Sequence, residues 1–296
     1  MTPELQHTLA SAVQFQGVGV HTGRQVCGRI EPARPDTGVS FVRTDVAERD
    51  PEIPARADRV TETRLGTVIA NADGVSVSTV EHLMATLSGL AIDNAVVFID
   101  GPEVPIMDGS CAPFVDLLDR AGRRLQARPR RYLEILEPIV VEDGDKRVAL
   151  TPAERFEVAF EILFDDSAIG RQSLDLAVDE AVFREDLAEA RTFGFLHEVE
   201  ALRAAGLARG GSMDNVVVID RGAILNPEGL RRPDEFVRHK MLDAIGDLAL
   251  LGGPLLARYE GRYAGHAMNN ALARALLARP AAWREVSAPR RLAAVG

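Results

Sequence analysis

Hydrophobic positions along the chain fall into short alternating stretches set off by turn residues, with apolar runs at helical spacing between them. Gln14 to Ile30 reads as extended segments around a glycine-rich turn, Gly17-Val18-Gly19-Val20-His21-Thr22-Gly23. Val39 to Val42 and Thr67 to Ile69 are further short strands. Ser78 and Thr79 supply capping chemistry for a helix over Val80 to Ser88, with Glu81 in its first turn and Gly89 as its stop. Asn94 to Ile99 follows as an apolar strand, and Pro113 to Gly122 as a second helix.

The pattern then breaks. Six arginines occur between Arg120 and Arg131, with Pro129 among them, which reads as a solvated charged linker. Beyond it the strands resume at Leu133 to Val141, Arg147 to Leu150 and Val158 to Phe164. Helices are expected at Glu180 to Ala190 and Pro233 to Leu251, helical periodicity at Val199 to Leu207, and a strand at Asn215 to Asp220. The expected class is therefore α+β with two domains, residues 1–126 and 127–296, each a β-sheet layered against paired α-helices. Each half carries a histidine near the start of a helix (His82, His239), followed by an apolar helix, a glycine stop and an apolar strand. The two helix starts are expected to face each other across the domain interface, a common place for an active site.

Composition narrows the function classes. At 296 residues with 46% hydrophobic content, the chain has enough apolar surface for real cores. A net charge of −10 argues against a nucleic-acid partner, which needs a basic face. Cys27 and Cys111 are the two cysteines, too few for a disulfide framework or a Cys₄ metal site. Met1-Thr2-Pro3-Glu4 has neither the basic nor the apolar region of a signal peptide, and Leu248 to Ala257 is too short to span a bilayer, so a cytoplasmic protein with no stable membrane anchor is expected. No GxGxxG or GxxxxGK[ST] run supports a nucleotide fold. All but two of the 34 basic residues are arginine, the exceptions being Lys146 and Lys240.

The candidate chemistry lies on histidines and carboxylates. His239, Asp243 and Asp247 are spaced i, i+4, i+8, so a helix aligns them on one face. An imidazole and a carboxylate one turn apart can grip a divalent ion, although a helix-surface His–Asp pair is the commoner meaning of that spacing. Glu81 and His82 diverge by about 100° on their helix, so one can bind an ion while the other holds the water beside it. His82, His239 and Asp243 then form a three-ligand set with one position open, the pattern of a catalytic zinc site. A His₂Asp set suits iron as well. His266 opens a further helix after Gly265.

At these residues a resemblance appears. Gly17 to Gly23, Thr79-Val80-Glu81-His82-Leu83, Met107-Asp108-Gly109-Ser110, Arg191-Thr192-Phe193-Gly194-Phe195, Phe236 through Asp247 and Gly265-His266 together resemble the zinc-dependent UDP-3-O-acyl-N-acetylglucosamine deacetylases (LpxC) of lipid A synthesis. The motifs run in family order from about residue 7 to residue 275. The resemblance implies hydrolysis of the N-acetyl group to acetate and a free amine, with His82, His239 and Asp243 on zinc. It makes Glu81 the general base, His266 the general acid and Asp247 its orienting partner. Thr192 would donate to the tetrahedral oxyanion, and Lys240 would bring positive charge beside the substrate. Phe193 and Phe195 would line the active-site wall, core packing being their plainer role, and Leu65 would be a further substrate contact. Val199, Ala208, Gly211 and Val218 would line a hydrophobic acyl passage formed by an insert at about 195–220. Gly66 departs from the larger residue frequent in the family, so the passage entrance is expected to differ.

His21 is taken as structural, and His7 and His197 as surface residues. Asn94 and Asp108 are assigned turn-forming or buried hydrogen-bonding roles. The expected partner is the UDP-linked acylated glucosamine substrate, met near the inner membrane by a monomer. Two other readings remain open from the sequence. One is a metal-dependent deacetylase of another N-acetyl sugar; the other is a non-catalytic binder of sugar nucleotides or lipids.

Overall fold

The strands of the first half gather into a sheet because their apolar side chains repeat every second residue. In the computed structural model, which describes residues 4–287, the five-stranded sheet runs Val13–Val18, Gln25–Pro32, Ala95–Ile99, Val39–Arg43, Glu52–Pro54. Ala95–Ile99 pairs antiparallel with one neighbour and parallel with the other. Phe15, Ile30, Phe41, Ile53 and Val97 are buried, and Phe15 meets Phe114 of the Ala112–Ala121 helix edge to face. Met1–Pro3, read above for a targeting signal, lies outside the described residues, as do 288–296. Among the described residues no helix is long and apolar enough to cross a membrane.

The second half builds a seven-stranded mixed sheet in which Leu255–Arg262 is central, flanked by Lys146–Pro152, Glu157–Leu163 and Tyr132–Ile135. The helices Glu235–Ala249 and His266–Leu277 pack on it. The Glu81–Gly89 helix of the first half lies against Glu235–Ala249, and this pairing positions the site. Gly246 makes the close approach: a Cβ there would sit 2.0 Å from the Glu81 carbonyl oxygen. The α+β class holds as expected.

Several local expectations change. The arginine-rich stretch is no linker: Arg123–Pro129 is a strand, antiparallel to Leu5–Leu9, and it crosses residue 126. Pairing with an outer strand lets most of its arginines stay in solvent, as suits an edge. Arg130 is instead buried between Asp93 (2.7 Å) and Glu4 (3.2 Å). Leu133 to Val141 divides at Pro138, which lacks the donor a continuing ladder needs, into Tyr132–Ile135 and Ile139–Asp143. The expected Glu180 to Ala190 helix is present from Glu180 to Leu187 but changes pitch. An α turn, Glu180–Val182, capped by Asp179 on the Val182 amide, runs into a π-helical stretch, Phe183–Leu187, that buries Phe183 and Leu187. Ser78 and Thr79 do not cap the Glu81–Gly89 helix. Thr79 sits at φ 57 with its hydroxyl 3.2 Å from Glu103, and Ser78 bonds the Pro102 carbonyl. Asn94 is a buried hydrogen-bonding hub, engaging Gln6, Gln126 and the amides of Thr37 and Gly38.

Candidate metal centre and active site

The i, i+4 spacing of His239 and Asp243 does what helical geometry requires: His239 Nε2 lies 3.4 Å from Asp243 Oδ1. His82, from the first turn of the opposing helix, brings its own Nε2 to 3.5 Å from the same oxygen. All three side chains are buried, and their donor atoms lie within 4.8 Å of one another. Bonds of 2.0–2.1 Å in a tetrahedron put ligand atoms about 3.4 Å apart, so both imidazole-to-carboxylate spacings fit a shared ion.

Protonation also suits a ligand set. His239 Nδ1 donates to the Ala190 carbonyl at 3.0 Å, which leaves the Nε2 lone pair for a metal. Burial, aided by His82 and Lys240 against the pull of Asp243, holds the His239 pKa down at about 4, keeping it neutral. Burial works against charge on Asp243, yet His239, Lys240 and His266 together hold its carboxyl well below the usual range. The Lys240 ammonium, 2.6 Å from Asp243 Oδ2, occupies the oxygen that faces away from His82 and His239. Lys240 is thus placed on a metal-set carboxylate.

Beside this set stand a base and an acid. Burial raises the Glu81 carboxyl pKa, with His266 and His82 opposing, so this group has a greater proton affinity than a surface glutamate. Its Oε2 accepts the Thr67 amide at 2.9 Å, and its Oε1 is 4.0 Å from His266 Nε2. His266 opens its helix, where the helix dipole disfavours a cation. Burial disfavours it too, but Asp247, Asp243 and Glu81 outweigh both and push its pKa up to about 9. Asp247 is hydrogen-bonded to His266 Nδ1 at 2.9 Å, as expected of an orienting partner.

Three of the passage candidates, Phe193, Phe195 and Val218, lie on a separate small sheet, while Leu65, Val199, Ala208 and Gly211 lie outside it. Phe193–Phe195 pairs parallel with Val217–Asp220, which pairs antiparallel with Ala223–Ile224. Phe193 packs against Phe236 (4.9 Å) and Phe164 (5.6 Å), with the His239 ring 6.4 Å away. Phe195 meets Phe164 at 5.9 Å. Val199 opens the Val199–Ala204 helix, and Val218 is half-buried in its strand. Leu65 is exposed at φ 60 and Ala208 lies at φ 52. A Cβ on Gly211 would find only ordinary contacts, at 3.6 Å or more. One on Gly66 would come to 3.0 Å from Glu81 Oε1, so a larger residue at that position would press on this carboxylate.

Thr192 is fixed through its backbone, donating to Gly109 O and accepting from the Val217 amide, both at 2.8 Å. Gly109, at φ +89, admits this packing because a Cβ would strike the Asn215 carbonyl at 2.2 Å. The His21 ring bonds Leu65 O at 2.9 Å and receives the Ala208 amide at 3.5 Å. His7 is not a surface histidine, being half-buried with its Nδ1 enclosed and unpartnered. Sequence reasoning missed Thr67, Asn269, Phe164 and the buried Arg191–Glu235 pair at 2.9 Å. For Asn269 a signal existed, since it lies in the His266 segment.

Three donors converging on one point, flanked by a buried carboxylate and by an imidazole held on a buried aspartate, define the class as a metal-dependent hydrolase. The model of the UDP-3-O-acyl N-acetylglycosamine deacetylase family matches residues 6–278. A UDP-3-O-acyl-N-acetylglucosamine deacetylase of Phenylobacterium zucineum is 66% identical over 279 residues, covering 94% of this chain and 95% of the relative. Proteins of the same name from Syntrophotalea carbinolica (50%; 95% and 90% covered) and Myxococcus xanthus (49%; 97% and 90% covered) are similar over comparable spans. The chain belongs to this deacetylase family.

Proposed function

We propose that this enzyme hydrolyses the N-acetyl group of UDP-3-O-acyl-N-acetylglucosamine, releasing acetate and a free amine early in lipid A biosynthesis. The observation that carries it is the convergence of His82, His239 and Asp243 with Glu81 and His266 in one buried cluster. His82, His239 and Asp243 would hold zinc, with iron as the alternative ion. Such an ion supplies Lewis acidity and a water of lowered pKa.

The remaining chemistry is the protein's own. Glu81, with its proton affinity raised by burial, accepts the proton of the attacking water. His266, protonated and held by Asp247, donates a proton to the departing amine nitrogen. Thr192 donates to the oxyanion, and Lys240 adds positive charge to its field. Phe193 and Phe195 line the active-site wall and Leu65 meets the substrate beside it, while Val199, Ala208, Gly211 and Val218 enclose the acyl chain, where each buried CH₂ contributes about 0.8 kcal/mol. The enzyme acts as a cytoplasmic monomer that approaches the inner membrane to meet this substrate.

The test is acetate release from UDP-3-O-acyl-N-acetylglucosamine beside UDP-N-acetylglucosamine without the acyl group. Turnover of the first, with a steep fall for the second, is expected. Equal turnover would transfer the reading to a general N-acetyl-sugar deacetylase, and no release from folded, metal-loaded protein would defeat it.

A further inference from the structure

Asp247 and Glu81 come from different helices and serve different proton transfers, yet one residue touches both. Thr67, 1% exposed, donates its amide to Glu81 Oε2 at 2.9 Å and its hydroxyl to Asp247 Oδ1 at 2.5 Å. Its carbonyl accepts the Val80 amide, directly before Glu81. The other Asp247 oxygen takes His266 Nδ1 (2.9 Å) and Asn269 Nδ2 (2.8 Å), and Asn269 is itself held by the buried Tyr259 hydroxyl at 2.6 Å. Asp247 therefore has each oxygen committed, one to the acid and one to Thr67.

We infer that Thr67 is a positioning residue for the reaction, setting the base Glu81 and the acid's partner Asp247 in one fixed relation. A carboxylate in a low-dielectric site can swing about its terminal torsion unless both oxygens are tied. With its Oδ1 released, Asp247 is held at Oδ2 alone, by Asn269 and His266, and the carboxylate plane that orients the His266 ring loses its second anchor. The amide bond likewise fixes the Glu81 oxygen pair, leaving Oε1 turned towards His266. Thr67 itself is braced from outside by the His21 bond to Leu65 O, two residues earlier. A misplacement of the order of 1 Å in such groups costs about 100-fold in rate. This inference rests on the proton-transfer roles proposed above for Glu81, Asp247 and His266.

The experiment compares Thr67→Val and Thr67→Ser with the unaltered zinc-loaded enzyme in acetate release, alongside metal content and thermal midpoint. Val keeps the shape and the amide but removes the hydroxyl. The expected result is a fall in kcat of about 10–100-fold for Thr67→Val, with KM and bound metal unchanged and most of the rate restored in Thr67→Ser. In an Asp247→Asn background, Thr67→Val should add little further loss, because the two act as one unit. Native kcat in Thr67→Val overturns the inference, as does a loss that tracks metal content, one that Ser does not recover, or full additivity with Asp247→Asn. An inactive unaltered enzyme would instead strike at the proposed reaction, so the two failures are distinct.

Discussion

The catalytic cluster and the acyl insert are built on opposite principles. Glu81, His82, His239, Asp243 and Asp247 are each no more than 4% exposed and sit on two helices pressed together at Gly246. The insert is made of elements no longer than six residues, and Leu196, Met213 and Leu225 around it are 39–48% exposed. In the cluster, charges are fixed by hydrogen bonds and oppose one another in a low dielectric, so small displacements matter. In the insert the contacts are apolar and without direction, so on the proposed reading changes of size there act in proportion to the methylenes displaced. On the proposed reading the protein separates reaction from substrate selection, and the two regions meet at Phe193 beside His239 and at the His21 contacts.

The sharpest break between the two regions is Glu81→Ala. Turnover should fall by about 10²–10⁴-fold with bound metal retained. Metal analysis of the same preparation decides the point, because loss of the ion would make Glu81 a ligand rather than a base. Asp243→Ala comes next. Metal affinity should fall by more than the about 10–100-fold that loss of an outer partner costs, measured by competition with a chelator. Unchanged affinity would remove Asp243 from the ligand set.

Protonation gives a third test, read on the metal-free protein. The His266 pKa is raised in the folded state from 6.5 to about 9, so its stabilising contribution is complete below 6.5 and disappears as pH rises through about 9. The His239 pKa is lowered from 6.5 to about 4, so the protein loses stability as pH falls from 6.5 through that value. Denaturation midpoints should fall on both sides, each group contributing a slope of at most about 1.4 kcal/mol per pH unit. His266→Gln should flatten the alkaline limb; an unchanged limb would place the alkaline loss elsewhere. The smallest effect belongs to the insert. Gly211→Leu should lower kcat/KM several-fold more for long than for short acyl substrates, leaving metal content alone. Equal losses would place the passage elsewhere.

The His239–Asp243 part of the candidate metal set is legible in the sequence because its geometry is local, a helix putting both on one face whatever surrounds it, whereas the approach of His82 comes from the packing of a second helix. Glu81 and His82 stand in a motif, and the resemblance supplies their roles. Thr67 has no such mark. Its value comes from a bond to Asp247 across 180 residues, which no periodicity encodes. The arginine-rich segment misleads for a related reason, since charge density suggests solvent while pairing with Leu5–Leu9 makes it a strand. The Glu180 to Ala190 pattern stays helical to Leu187 but widens after Val182, where Phe183 packs so close to Gly89 that a Cβ there would clash at 2.4 Å.

The most direct measurement is a zinc titration of metal-free protein, following acetate release from the UDP-linked acylated substrate. The account predicts no activity without metal and a linear rise that stops at one equivalent per chain. Activity in rigorously metal-free protein, or a rise with zinc that persists in His82→Ala, would contradict it.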